Sequence, residues 1–383
     1  ASEHDLSVIC PYECGNEAVW AGDLDVLAPK DLLQLINHLK GTQVLSRPEV
    51  KMDDRRDVHY RDLAEVKGQE TAKRALQIAA AGGHNLLMSG PPGSGKSMLA
   101  SCLPGILPPL TAREALDVSM VHSLAGSLPE EGLLRERPYR DPHHSASLPA
   151  LVGGGAKPKP GEISLAHKGI LFLDEFPEFA RSTLEALRQP LETGRALIAR
   201  ANLHVTYPAE FQLIAAMNPC KCGHLGDVDL ECTKAPKCAG EYQSKISGPM
   251  LDRIDLFVDV PPVPVTELSR LPEGESSAQV QKRIIKARDI QMQRYRELGV
   301  DLSVNAVANG KVLEQIAPLE PQATEILNKA AENLKLSARA YYRIIRTART
   351  IADLSSVISG ELYPMVLSAH IAESLSYRRV SLR

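Results

Sequence analysis

Apolar positions recur at helical spacing over 29–39, where Leu32, Leu33, Leu35, Ile36 and Leu39 share one face, with Pro29 suited to a first turn and Gly41 to a stop. The run Ala72–Ala81 predicts a second helix. Three short apolar runs then read as strands. These are Leu86-Leu87-Met88, Gly169–Leu173 and Phe211–Ala216. The run Gly169–Leu173 has no polar alternation, which fits a strand buried on both faces of a parallel sheet. Strands alternating with helices predict an α/β domain. Behind Pro261-Pro262-Val263-Pro264 the pattern is helical throughout, over 276–298, 322–335, 338–354 and 361–377, so a second, all-helical domain is expected. A charged stretch at 46–57 reads as a solvated linker, and no internal repeat is apparent.

Composition adds exclusions. The 383 residues carry 44 Lys+Arg against 47 Asp+Glu, a net charge of −3, so whole-chain charge gives no argument for a polyanion partner and any such surface must be local. A hydrophobic content of 44% excludes wholesale disorder. No apolar run approaches the ~18 residues of a membrane-spanning helix, and no secretory signal opens the chain, so a cytoplasmic location with no membrane contact is expected. Four of the seven cysteines, Cys220, Cys222, Cys232 and Cys238, fall within 19 residues. Without a sign of secretion, the cluster reads as a metal site rather than a disulfide framework.

Gly90-Pro91-Pro92-Gly93-Ser94-Gly95-Lys96-Ser97 fits G-x-x-x-x-G-K-[ST] in full, between a predicted strand and a predicted helix. In such a loop backbone N–H groups surround the phosphates of ATP, Lys96 reaches the β/γ-phosphates and Ser97 binds Mg²⁺. Asp174 and Glu175 end the strand 169–173. Asp174 suits the Mg²⁺ shell, and Glu175 is a candidate base for the attacking water. Asn218 ends the next strand, where an amide either orients that water or simply makes a turn.

Four stretches, Gly90–Ser97, Leu173–Phe176, Met217–Cys220 and Leu251–Asp255, together resemble a magnesium-chelatase-like AAA+ ATPase. Pro142–Ser147, Gly153-Gly154-Gly155, Pro160–His167 and Leu187–Glu192 narrow the resemblance to the ComM/YifB family, from about Arg61 to the C-terminus. The fold implied is a P-loop AAA+ core with a parallel sheet, a helix-2 insert and a hairpin before sensor one, followed by a helical lid. The domains implied are 1–45 as the C-terminal remnant of a Lon-protease-like domain, 46–60 as linker, 61–262 as the ATPase core and 263–383 as the lid. The first of these begins at Ala1 and is expected to be only the last portion of its domain.

The resemblance further implies a homo-hexamer with ATP at subunit interfaces, Arg253 as a trans-acting arginine finger and Arg339 as a second sensor. An intramolecular pair of Arg253 with Asp252 or Asp255 is the other reading. Arg343, Arg346 and Arg349 share the helical face of Arg339 and stand as interface or DNA candidates. The segment 151–168 resembles the pore insert, with Lys157 and Lys159, and 196–207 the hairpin, with a turn near Ala201-Asn202 and Arg200 at its tip. These cations would track single-stranded or branched DNA by its backbone, without aromatic stacking. The cysteines give four thiolates for a structural Zn²⁺, with His224 in reserve, or remain reduced thiols. The wider spacing of Cys232 and Cys238 departs from the family's two close pairs. The implied function is an ATP-driven DNA motor that moves recombination junctions during natural transformation. The alternatives are a chelatase-type remodeller acting with partner subunits and a Lon-like protease ATPase.

Overall fold

The computed structural model describes residues 6–19, 24–48, 60–128, 133–155, 158–200, 203–223, 225, 232–264, 266, 270 and 272–378. Most of the expected linker, at 49–59, lies outside them. The chain divides into two compact units, one formed by 1–59 with 109–138, the other by 60–108 with 139–383.

The larger unit is built on a parallel sheet of five strands. In chain order its strands and hairpins are β1 (Leu86–Ser89), β2 (Tyr139–Arg140), β3 (Gly153–Gly154), β4 (Lys159–Pro160), β5 (Ile170–Leu173), β6 (Arg195–Arg200), β7 (Leu203–Pro208), β8 (Gln212–Met217) and β9 (Leu256–Asp259). The sheet order is β9-β1-β8-β5-β2. Every residue of β5 and β8 is buried, as their apolar runs predict, and the one polar member, Gln212, donates its amide to the carbonyls of Ala79 and His84. All neighbours are parallel, with Ala215 opposite Leu87 on one side and Leu173 on the other. This places the residues after β1, β5 and β8 along one edge. Ligands of open parallel sheets bind at that edge, beyond the strands' carboxyl ends.

Helices α1 (Glu70–Gly82), α2 (Lys96–Ile106), α3 (Lys237–Gln243), α4 (Ser277–Glu297), α5 (Gly310–Ile316), α6 (Pro321–Asn333), α7 (Ala338–Ser359) and α8 (Ser368–Ser376) follow in chain order. The first, α1, ends where Gly83 turns left-handed at φ 71°. The capping box of Ser276 and Gln279 starts α4. Its Val280, Ile284 and Ala287 join the same apolar cluster as α1, α2 and the sheet, as do Ile351 of α7 and Tyr377. The last helical stretch expected, 361–377, is shorter than the pattern implies. Pro364 cannot continue a helix, Tyr363 takes a left-handed turn at φ 52°, and α8 starts only at Ser368.

The C-terminal helical region is polar at its centre. Asp353 and Arg349 are fully buried and Arg294 nearly so. Arg294 donates twice to Asp353, at 2.8 and 2.9 Å, and Arg349 donates from Nε at 3.0 Å. Asn305 and Thr350 complete the network. Arg349 is therefore a core residue and not the DNA or interface candidate that its helical spacing suggested. The Asp353→Ala variant would leave two guanidiniums buried without a counter-charge. The expected loss is ~3–5 kcal/mol of stability, read as a lower urea midpoint by far-UV circular dichroism.

In the smaller unit a two-stranded parallel pair sets Val8 beside Val26. The helix expected from Pro29 begins at Leu32, because Asp31 caps it by accepting from the Gln34 N–H at 2.8 Å. A second helix, Ala112–Ala125, starts with a Thr111/Glu114 capping box and stops at Gly126. Its Ala115 and Val118 pack with Leu110.

Candidate functional site

The phosphate loop joins β1 to α2. A side chain on Gly90 would place its Cβ 2.2 Å from the Val260 carbonyl, so the loop base admits only glycine. Gly93 and Gly95 take φ of 76° and 92°, and Gly95 is the N-cap of α2. The backbone thus turns to lay the N-terminus of α2 at the sheet edge, where N–H groups and helix dipole favour an anion. Lys96 is buried there, and its ammonium donates to the carbonyls of Gly90 and Pro91 at 2.8 Å each. The Asn218 amide oxygen is 3.4 Å away. Burial pushes the Lys96 pKa down and Asp174 partly offsets this, so an arriving phosphate meets an ammonium already short of water.

The structure brings the predicted acids to the same place. The Ser97 hydroxyl donates to Asp174 Oδ2 at 2.7 Å. The Glu175 N–H donates to the other carboxylate oxygen at 2.8 Å. Hydroxyl and carboxylate are the hard oxygen donors that Mg²⁺ takes. Glu175 has a left-handed backbone, φ 50°, immediately after the strand. That conformation is costly for a residue with a Cβ and clusters at functional sites. Its carboxylate meets Nδ1 of His144 at 3.0 Å. His144 follows β2, the strand beside β5, and its ring lies 4.2 Å from that of His143. Asp141, after the same strand, is pushed up by burial and by Asp174.

Among the described residues, neither Arg253 nor Arg339 is bonded to the loop. Arg253 donates to the carbonyls of Arg188 at 3.2 Å and Pro249 at 2.5 Å, and it pairs with Glu192. The intramolecular alternatives, Asp252 and Asp255, are instead the partners of Arg343, at 3.6 and 4.0 Å. Arg343 also donates to the carbonyls of Ile254 and Asp252, on either side of Arg253, at 2.6 and 2.7 Å. Arg339 is exposed in the first turn of α7.

The two expected pore elements lie against each other. The hairpin β6/β7 pairs in register from Arg195↔Pro208 to Arg200↔Leu203. Strands β3 and β4 form a second antiparallel pair. Tyr207 of the hairpin donates to the Pro158 carbonyl at 2.9 Å. The ideal Cβ of Gly153 would lie 2.7 Å from Ile198, so the insert packs on the hairpin through a glycine. Lys159 is exposed. Lys157, the turn at Ala201-Asn202 and the side chain of Arg200 lie outside the described residues.

The sulfur atoms of Cys220, Cys222, Cys232 and Cys238 all lie within 4.8 Å of one another, despite the uneven spacing. Cys220 and Cys232 are buried. In the thiol form Cys232 is pushed up to about 12, chiefly by its hydrogen bond with Cys222. His224 is outside the described residues.

Sequence reasoning missed His144, Glu192 and Arg343 as contacts of the predicted residues. His144 and Glu192 stood inside quoted stretches, but nothing local tells which side chain a distant loop will meet. Arg343 was visible as one turn beyond Arg339 on the same face.

Two family models match successive stretches of the chain. The family described as magnesium chelatase, subunit ChlI, matches residues 62–268. The ChlI C-terminal family matches 274–378. The competence protein ComM of Haemophilus influenzae is 43% identical over 99% of this chain and 72% of its own length. The YifB protein of Escherichia coli is 45% identical over 89% of this chain and 65% of its own. The magnesium-chelatase 38 kDa subunit of Rhodobacter capsulatus is 28% identical over 40% of this chain.

Proposed function

The chain belongs to the ComM/YifB family of magnesium-chelatase-like AAA+ proteins, and on that premise we propose that it is an ATP-driven DNA motor. It acts as a homo-hexamer and moves branched recombination junctions as imported DNA is integrated in natural transformation. The observation that carries the ATPase part is the 2.7 Å bond between Ser97 and Asp174, with Glu175 next in line. Ser97 and Asp174 would hold Mg²⁺, which neutralises charge on the phosphates when bound. The loop Gly90–Ser97 wraps the phosphates. Lys96 exchanges its two backbone carbonyls for phosphate oxygens. Glu175 takes the proton of the attacking water, and Asn218 orients that water. Arg253 reaches the next subunit's site and Arg339 closes the lid on the nucleotide.

The DNA part rests on the similarity to ComM and on the insert and hairpin packed as one block. Six copies would ring a central strand with Lys157, Lys159 and Arg200, a positive field hidden in a monomer charge of −3. Contact at phosphates alone gives binding indifferent to sequence. The four thiols suit a tetrahedral structural Zn²⁺.

ATP turnover with and without single-stranded, duplex and forked DNA tests the reading. Stimulation by forked or single-stranded DNA is the expected result. Turnover that ignores DNA and rises only with added partner subunits is the result of a chelatase-type remodeller. A second expectation concerns the insert. Lys157→Ala with Lys159→Ala should weaken DNA binding and lower the salt dependence of log K by about two phosphate contacts' worth, with ATP affinity unchanged. Wild-type DNA binding and branch migration by this variant would remove the insert from the pore.

A further inference from the structure

We propose that the four-cysteine knot is a zinc site that braces the nucleotide site, so that metal occupancy sets ATP affinity. The proposal rests on the reading of Gly90–Ser97 as the phosphate loop and adds a support that this reading does not contain.

The connection begins in the chain. Cys220 stands two residues beyond Asn218, at the end of the central strand β8. Cys238 stands in the first turn of α3. One metal bound by both would tie the end of β8 to the start of that helix. The next turn of α3 already holds the same segment. Gln243 donates to the Pro219 carbonyl at 3.0 Å, and the neighbouring Tyr242 is buried. Asn218 in turn lies 3.4 Å from the Lys96 ammonium.

The second arm runs from the knot to the loop. Between Cys220 and Cys222 and just after them the chain makes a tight turn, closed by the Gly223 N–H donating to the Cys220 carbonyl at 3.0 Å. Gly223 has φ 86°, and a Cβ there would sit 2.7 Å from Cδ and 3.0 Å from Cγ of Pro92. The ring of Pro92, within the phosphate loop, therefore occupies the space a side chain would take. Gly90 at the loop's start is bonded to Met217 at 3.2 Å. The knot thus touches the loop directly through Gly223 and indirectly through Met217 and Asn218.

Zinc is the metal that this donor set selects. Four sulfurs within 4.8 Å of one another, two of them buried, suit a closed tetrahedral site with no open position for substrate. Without the metal, the Cys220–Gly223 turn and the head of α3 lose the tie that one ion shared by Cys220 and Cys238 would give. The phosphate loop then loses its fixed wall at Pro92.

The test uses the chain purified with zinc present. Elemental analysis should find one zinc per chain, and Cys222→Ser should lose it. Stripping wild-type protein with a thiol-modifying mercurial and chelator, then reversing with dithiothreitol, should weaken binding of a fluorescent ATP analogue about tenfold. Adding zinc alone should restore it, while the far-UV spectrum stays unchanged. Gly223→Ala should keep its zinc and still bind the analogue more weakly, because its Cβ displaces Pro92. Zinc-free wild-type protein would overturn the site. Stripped protein with undiminished affinity would overturn the brace alone. Lys96→Ala with wild-type affinity would overturn the phosphate-loop reading and the brace together.

Discussion

Glu175→Gln is expected to bind ATP and Mg²⁺ as the wild type does and to turn ATP over ~10²–10⁴-fold more slowly, the range of a lost general base. The substitution keeps the shape and removes the ability to take a proton. It leaves intact the groups proposed to bind the nucleotide. The loop amides, Lys96 and the Ser97–Asp174 pair do not depend on the Glu175 side chain, which touches only His144 among the described contacts. The two parameters should therefore separate in one variant. A fluorescent-nucleotide titration and a phosphate-release assay read them. Turnover within threefold of wild type would take the base role away from Glu175. Loss of binding in step with turnover would make its role structural.

The phosphate loop and the acids were legible because their signal is local. Eight consecutive residues dictate the turn, and Asp174 is fixed by an apolar run that can only be a buried strand. The central sheet was legible to the same extent. Its edge strands were not. Tyr139–Arg140 is two residues long and has no pattern of its own. It is a strand because β5 is there to pair with it. His144 inherits its place beside Glu175 from that pairing, so no reading of 142–147 alone could find the contact.

The arginines of α7 show the opposite failure, a clear pattern with several meanings. One helical face holds Arg339, Arg343, Arg346 and Arg349, yet the helix runs from the surface into the centre of the C-terminal helical region. Arg339 is exposed. Arg343 ties the segment around Arg253. Arg346 donates to Asn309 at 2.7 Å, and Arg349 is buried on Asp353. Helical period gives the face, but depth along the axis depends on what packs there, and that is tertiary. The cysteines sit between these cases. Their clustering suggested a metal, and the wider spacing of Cys232 and Cys238 still brings all four sulfurs within 4.8 Å of one another, Cys238 from the first turn of α3.

Arg253→Ala is expected to lower ATP turnover by ~10³–10⁵, the effect of removing an arginine that stabilises charge on the transferring phosphoryl group. ATP affinity should remain within a few-fold of wild type. Within its own subunit the guanidinium rests on Glu192 and on two carbonyls, with no partner in the phosphate loop among the described residues. If it acts, it acts on a neighbour, and that distinguishes it from every other residue proposed for the site. The discriminating measurement mixes two inactive variants. Arg253→Ala subunits keep a whole phosphate loop and lack the finger, whereas Lys96→Ala subunits keep the finger and lack the loop lysine. In mixed rings, each site formed by an Arg253→Ala loop and a Lys96→Ala finger is complete. Activity should reappear on mixing and scale with the frequency of that junction, highest near equal proportions. Activity that stays absent at every ratio, with mixed assembly shown by differently tagged subunits, would place the essential contacts of Arg253 within one chain. The bond to Glu192 would then be its function and not its resting place.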